Sequence, residues 1–191
     1  MPNTEELKLQ ILDGVVSVYR TKGIRFTMDD LAKTLRMSKK TIYTVYRDKK
    51  TLFMDMVDHV FDSIKESEAA VVEDPELDTT EKIRRVLGVL PDSYKNIDLG
   101  QLYILREKHP DIYERVEERL ETGWEQTIAL IEKGIAEGVI RPVNIRLLKM
   151  MYEASIEQFF SRDILVKNDI SYADALNQVV DIIVDGIAVR T

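Results

Sequence analysis

Apolar residues in the first part of the chain recur every three or four positions, which is the spacing of one face of a helix. Over residues 5–21 this face consists of Leu7, Ile11, Val15 and Val18. Gly23 follows directly and is placed to end the helix in a left-handed conformation. The pattern therefore predicts a first helix of about five turns.

Two shorter helices are predicted next, and each has its own start signal. Thr27 is followed three residues later by the acidic Asp30, a variant of the capping box, and Ser38 can cap the following helix. Only two residues separate Leu35 from Ser38, which is the tight spacing of a helix-turn-helix. The apolar positions that would close a three-helix core are Phe26, Leu31, Ala32, Leu35, Ile42, Val45 and Tyr46.

The rest of the chain also has helical spacing and shows no sustained strand alternation. Asp48 can cap a long fourth helix that reaches about Val72 and is followed by a polar loop. Further helices are predicted over residues 79–90, 98–108, 110–136, 144–162 and 171–189. We therefore expect an all-α protein with an N-terminal helix-turn-helix domain over residues 1–47 and a second helical domain over residues 48–191.

The last predicted helix is apolar on two sides. One stripe consists of Leu176, Val180, Ile183 and Ile187, and the other of Val179, Ile182, Gly186 and Val189. A helix with two apolar sides must bury both, so we expect it to form a four-helix homodimer interface with the helix of residues 144–162. The residues assigned to this interface are Tyr152, Ile156, Phe160, Leu176, Val180, Ile183 and Ile187. The pattern leaves open which stripe is core and which is interface.

Charge is distributed unevenly along the 191 residues. The chain has a net charge of −7, but residues 1–50 carry +5 and residues 51–191 carry −12. Local basic charge favours a duplex near the helix-turn-helix even in an acidic protein. Cysteine is absent, which fits a reducing compartment, and no apolar run approaches the roughly 18 residues of a membrane span. We expect a cytoplasmic protein without membrane association.

With these elements in place, the chain resembles the TetR family of transcriptional regulators. The resemblance is strongest over residues 11–57, through Thr-Met-Asp-Asp-Leu-Ala, Ser-Lys-Lys-Thr-Ile-Tyr and Tyr-Arg-Asp-Lys-Lys-Thr-Leu-Phe, and it recurs in the segment 133–141. Family members often have glycine where this chain has Arg36 and Lys40. A non-glycine residue with positive φ costs about 1–2 kcal/mol, so a strained or altered turn is expected at Arg36.

The resemblance implies that the third helix enters the major groove of a palindromic operator. Lys39, Lys40 and Thr41 are then placed to meet base edges or phosphates. Tyr43 and Thr44 lie beside them, although Tyr43 could instead pack in the core. Thr27 and Lys49 begin helices, where backbone N–H groups favour a phosphate; for Thr27, helix capping is an equal and compatible role.

The second domain is expected to hold a small-molecule effector. Candidate pocket residues, each of which could equally be ordinary core, are Tyr94, Tyr103, Trp124, Met151, Tyr152 and Phe159. The two histidines, His59 and His109, lie far apart, and we expect no catalytic site, metal site or cofactor. The predicted function is a dimeric repressor that a ligand releases from DNA. The alternative is a helical interaction adaptor that keeps the helix-turn-helix as a scaffold.

Overall fold

The computed structural model describes residues 4–92, 94 and 103–189. Its helices are α1 (Thr4–Lys22), α2 (Met28–Leu35), α3 (Lys39–Tyr43), α4 (Lys49–Glu73), α5 (Thr79–Leu87), α6 (Tyr103–Lys108), α7 (Pro110–Glu121), α8 (Glu125–Ala136), α9 (Ile145–Ser161), α10 (Ile164–Lys167) and α11 (Tyr172–Ile187), with a 3-10 turn over Gly23–Arg25. We call α1–α3 the head and α5–α11 the body; α4 joins them. The predicted all-α class is confirmed.

β-structure in the described residues is limited to one antiparallel bridge between Ile140 and Ala188. This bridge ties the segment after α8 to the end of α11. Across the same residues, no helix combines the length and the apolar character that crossing a membrane requires.

The head forms because its predicted helix ends are all present. Gly23 has φ 59° and ends α1. The Thr27 hydroxyl accepts a hydrogen bond from the Asp30 amide while the Asp30 carboxylate accepts one from the Thr27 amide, so the capping box is complete. Ser38 caps α3 by accepting from the Thr41 amide at 3.0 Å. Helical hydrogen bonds continue to Tyr46, although α3 itself ends at Tyr43.

Helix α4 has 25 residues, about 37 Å in length, and is the longest of the described helices. Asp48 caps it by accepting from the Thr51 amide at 2.8 Å. Its first half is tied to the head by an ion pair between Asp55 and Lys8 of α1, at 2.8 Å. Its middle packs against α7, so α4 carries the head at one end and contacts the body along its length.

Two predicted helices differ from the structure. Residues 110–136 form two helices, because Gly123 has φ 76° and breaks the helical path between α7 and α8. The helix predicted to reach residue 90 ends at Leu87, and a short α10 was not foreseen. Of the helix predicted over 98–108, residues 98–102 lie outside the described residues.

The stripe assigned to the dimer interface is wrong for most of its members, because it is buried inside the single chain. Ile156, Phe160, Leu176, Val180 and Ile187 are each at most 8% exposed, packed in the core between α9, α11 and their neighbours. The other members are also partly covered: the Tyr152 hydroxyl donates to the Leu87 carbonyl, and Ile183 packs against the core. Of the second stripe, Ile182 and Gly186 are exposed, Val179 is half-buried, and Val189 is exposed just beyond the end of α11.

Candidate DNA-binding surface and ligand cavity

Helix α3 turns one face inward and leaves a polar and aromatic face exposed. Ile42 is fully buried and Tyr46, just after the helix, is 1% exposed. Lys39, Lys40 and Thr44 are exposed, and Tyr43 is 45% exposed despite its size. Tyr43 therefore does not pack in the core, and its ring is available to a partner.

Arg36 shapes the turn between α2 and α3. It adopts the left-handed conformation with φ 52° and ψ 36°. The Met37 amide donates to the Ala32 carbonyl at 2.9 Å and the Arg36 amide donates to the Lys33 carbonyl at 3.2 Å, which is the Schellman motif that usually employs glycine. The expected strain at Arg36 is thus present, and the turn keeps the shape that glycine would give.

Lys39 is held across this turn by Asp29 of α2. Its ammonium donates to the Asp29 carboxylate at 2.9 Å, and this hydrogen bond raises the pKa of Lys39. Both side chains are exposed, and an exposed ion pair contributes little free energy. Lys39 can therefore exchange Asp29 for a phosphate or a base edge at small cost.

The hydroxyls predicted to contact DNA already have partners within the chain. Thr44 donates to the Thr41 carbonyl at 2.6 Å, and Thr41 shares a hydrogen bond of 2.8 Å with Ser38. Thr27 donates to the Asp30 carboxylate at 2.9 Å. Each oxygen keeps acceptor capacity, but the donors that remain for phosphates in these segments are mainly backbone N–H groups.

Lys49 points inward. Its ammonium donates to the carbonyl of Ile24 at 2.9 Å and to that of Phe26, and it lies 4.5 Å from the centre of the Phe26 ring and 5.2 Å from that of Phe53. Burial lowers the pKa of Lys49. The side chain links the turn after α1 to the start of α4, so a phosphate at this helix end would meet backbone N–H groups rather than the ammonium.

The body and α4 enclose a largely apolar cavity of about 160 Å³. One face of α4 lines it with Phe53, Met56, Val57, Val60, Phe61, Ile64, Lys65 and Glu68. Tyr19 of α1 reaches its wall from the head, and α5, α6, α7, α8, α9 and α11 supply the rest. The cavity therefore borders both the head and the body.

Two of the six predicted pocket residues lie at this cavity. Trp124 and Tyr152 line it, with ring centres 5.4 Å apart in an edge-to-face arrangement. Tyr94 is buried elsewhere in the core, and Tyr103 and Phe159 are not in the cavity wall. Met151 is 55% exposed on the outer face of α9.

Sequence reasoning missed the charged groups of the cavity. Glu68 is 6% exposed, and Lys65 donates to its two carboxylate oxygens at 3.0 and 2.8 Å. Burial raises the pKa of Glu68, while the hydrogen bonds from Lys65 oppose this shift. Both residues lie among the apolar positions of α4, so the only signal available was a pair of charges on the face predicted to be buried.

Arg119 of α7 closes one side of the cavity. Its guanidinium donates to Asp58 at 3.1 Å and to Asp62 at 2.6 Å, and Arg115 also pairs with Asp58, at 2.7 Å. These pairs join α7 to α4. Among the described residues, no group of three or more histidines and carboxylates is arranged to hold a metal ion.

Two relatives match nearly the whole chain. The chain is 29% identical over 178 residues to an HTH-type transcriptional regulator of Bacillus subtilis, YvaF, covering 93% of this chain and 94% of the relative. It is 27% identical over 183 residues to the nucleoid occlusion factor SlmA of Vibrio campbellii, covering 92% and 90%. No protein-family model matches the chain.

Solved structures share the fold. A TetR transcription regulator from Haloarcula marismortui has a TM-score of 0.72 at 18% identity, covering 97% of this chain and 100% of the other. FadR of Bacillus subtilis, in complex with stearoyl-CoA, has a TM-score of 0.55 at 22% identity over 94% and 98%. RolR, in complex with resorcinol, has a TM-score of 0.55 at 11% identity over 98% and 90%. With its helix-turn-helix head and its helical body, the chain shares the fold of TetR transcription regulators such as that of Haloarcula marismortui, and along nearly its whole length it is similar to an HTH-type transcriptional regulator.

Proposed function

We propose that the protein is a homodimeric repressor that binds a palindromic operator and leaves it when a small molecule enters the cavity. The observation that carries this proposal is the exposed face of α3, where two lysines and an aromatic ring stand out from a helix whose opposite face is fully buried. Exposed cations can bind the phosphates of a nucleic acid, and an exposed aromatic ring beside them can contact its bases or phosphates.

On DNA, the first turn of α3 meets the major groove. Lys39 and Lys40 reach guanine edges or phosphates, and Tyr43 contacts a phosphate or a base. Free amides in the first turns of α2 and α4, beside Thr27 and at Lys49, hold phosphates and fix the orientation of the head. In this proposal residues 1–47 are the DNA-binding unit and residues 48–191 are the effector-binding and dimerisation unit.

The dimer surface is the outer face of α9 and α11, which pack against each other. On α9, Leu147, Met150 and Met151 are 53%, 63% and 55% exposed; Ile182 of α11 is 73% exposed, and Val189, just beyond the end of α11, is 47% exposed. Large apolar side chains clustered on two neighbouring helices favour a partner. A second copy of the chain fits this surface, because a two-fold axis would place α9 and α11 of one copy against α9 and α11 of the other in a four-helix interface.

The effector site is the cavity that borders α4. FadR and RolR, which share the fold, were solved with stearoyl-CoA and resorcinol, and this supports a small-molecule effector here. A ligand shifts the DNA-binding equilibrium only by its difference in affinity for two conformations. Because α4 lines the cavity and carries the head, a ligand that favours a tilted α4 releases the operator.

Selection of bound sequences from a random duplex library, with purified protein at moderate salt, tests this function. We expect enrichment of a two-fold palindrome. The double variant Lys39→Ala, Tyr43→Ala should lose binding to the selected duplex while keeping its fold and its mass. Lys133→Ala, which removes an exposed lysine from α8 in the body, is the matched control and should bind as the wild type does.

Failure to enrich any sequence with folded, ligand-free protein would contradict the DNA-binding proposal. An adaptor that uses the head as a scaffold would behave in this way, and its Lys39→Ala, Tyr43→Ala variant would lose no DNA binding because there is none to lose.

A further inference from the structure

The size of the cavity limits what it can hold. An apolar cavity of about 150 Å³ accommodates benzene, so the volume of about 160 Å³ found here suits a ligand with on the order of six to ten non-hydrogen atoms. The wall follows one face of α4 from Phe53 to Glu68, about four helical turns. A narrow space of this kind fits a slender chain better than a bulky ring system.

The charges in the wall argue against an anionic ligand. Among the described residues that line the cavity, the two cations are Lys65 and Arg119, and each is already paired with carboxylates. A buried anion without a cation partner is strongly disfavoured. The charge of Glu68 is already neutralised by Lys65, so a cationic ligand would also bring an unpaired charge into the cavity. An uncharged ligand is therefore favoured.

Glu68 gives the ligand one polar end to recognise. Its carboxylate has about four acceptor positions, and Lys65 donates once to each oxygen. The Tyr152 hydroxyl is committed to the Leu87 carbonyl at 2.7 Å and cannot donate to a second acceptor. A hydroxyl on the ligand can therefore donate to a free position on Glu68 while the rest of the molecule contacts the apolar wall.

We propose that the ligand of this cavity is a slender, uncharged, mainly apolar molecule with a terminal hydroxyl that donates to Glu68, of the class of medium-chain aliphatic alcohols. This inference rests on the proposed effector role of the cavity, and it names the class of molecule that fills it.

Binding can be followed without DNA. Trp124 is the single tryptophan of the chain and lines the cavity, so its fluorescence reports occupancy. The probes are 1-heptanol, hexyl methyl ether and heptanoate, which differ in the donor and in charge but hardly in shape. We expect 1-heptanol to bind about ten- to a hundredfold more tightly than the ether, because a hydrogen bond to a charged group is worth that factor. Heptanoate should bind weakest.

Variants locate the effect at the carboxylate. Glu68→Leu should remove the preference for the alcohol over the ether, whereas Glu68→Gln, which keeps an acceptor oxygen, should retain part of it. Glu66→Leu changes an exposed carboxylate on the same helix outside the cavity wall and should leave the preference intact. If Glu68→Leu does not fold, as judged by circular dichroism, the ether comparison in the wild type and in Glu68→Gln still decides.

The outcomes separate the ligand class from the effector role. Equal binding of alcohol and ether, or tightest binding of heptanoate, would overturn the class. If 1-heptanol binds through Glu68 but leaves operator affinity unchanged, the class stands and the effector role fails. If an anionic compound releases the operator while 1-heptanol does not bind, the effector role stands and the class is wrong.

Discussion

Ile182 offers the sharpest test of the proposed homodimer. It is 73% exposed in the single chain, the highest value among the exposed large hydrophobic residues of the described chain. It lies on the outward stripe of α11 between Val179 and Gly186, facing away from the core positions Val180 and Val184. If the proposed four-helix interface exists, the Ile182 side chains of both copies are buried in it.

The expected magnitude follows from the exposed fraction. Ile182→Ala removes about three methylene-equivalents, each worth about 0.8 kcal/mol on burial. At 73% exposure this gives about 2 kcal/mol per copy and about 4 kcal/mol per dimer as an upper estimate. The dimer dissociation constant should therefore rise by about a hundred- to a thousandfold.

Sedimentation equilibrium over a concentration series measures this constant, because the chain mass of 22.1 kDa is half that of the dimer. The matched control is Leu9→Ala, which removes a side chain 50% exposed on α1, in the head. It should leave the constant unchanged. The unfolding free energy of the Ile182→Ala monomer should also change little, since few of its contacts are within the chain.

Two results would refute this reasoning. A wild-type mass of 22.1 kDa at micromolar concentration would mean that no dimer forms. A wild-type dimer whose constant is unaffected by Ile182→Ala would mean that the interface lies on another surface, and the exposed stripe of α11 would then need a different partner.

Three further substitutions test the head and its connection to the body. Arg36→Gly should raise the free energy of unfolding by about 1 kcal/mol, because it removes a left-handed strain of about 1–2 kcal/mol while glycine makes the unfolded chain more flexible and so offsets part of the gain. The control Lys40→Gly lies inside α3 and should lower the free energy of unfolding. If chemical denaturation showed changes of the same sign for both variants, strain at Arg36 would be contradicted. Lys49→Met should lower the free energy of unfolding by about 1–2 kcal/mol, because two carbonyls lose a charged donor. The same substitution at the exposed Lys50 should change it by less than about 0.5 kcal/mol. Equal effects of the two variants would show that the inward contacts of Lys49 contribute nothing. Asp58→Asn breaks the ion pairs to α7 and should lower the free energy of unfolding by about 1 kcal/mol at low salt and by less at high salt. Thermal melts at two ionic strengths measure this difference. A loss of stability that did not depend on salt would argue against an electrostatic origin.

Helix starts were predictable because they depend on short stretches of sequence. Thr27, Ser38, Asp48 and Asn144 each precede an apolar helical pattern, and each accepts a hydrogen bond from an amide three residues later. These signals are local, so the surrounding fold does not alter them. The same holds for Gly23, whose positive φ ends α1 where the sequence placed it.

The break between α7 and α8 was not predictable from the apolar pattern. Helical spacing continues through Leu120 and Trp124 to Ile128, and a single glycine inside such a pattern is often tolerated. In the structure Gly123 has positive φ, and a Cβ there would lie 2.9 Å from the Cε of Lys65. The close approach of Lys65 is a tertiary contact, which no spacing along the chain reveals.

The two stripes of α11 show a second limit. Both are rich in aliphatic residues at helical spacing, and periodicity gives the faces of a helix without saying which neighbour covers each. Arg84 of α5 pairs with Asp181 and Asp185, so α5 packs beside α11 and the stripe of Val180 and Val184 becomes core. This packing joins segments about a hundred residues apart, and the spacing of apolar residues along α11 carries no trace of it.

In the proposed mechanism, the position of the cavity lets a small ligand act on the binding of a large duplex. Phe53 lines the cavity and stacks on Phe26 of the head at 5.4 Å between ring centres, and the Lys49 ammonium lies over both rings. A ligand that displaces Phe53 must therefore also disturb the contact that fixes the head on α4. Over the length of α4, about 37 Å, a tilt of about 5° moves its end by about 3 Å. That is close to the base-pair rise of about 3.4 Å, so a small tilt in each copy of the proposed dimer suffices to take the two α3 helices out of register with half-sites about 34 Å apart.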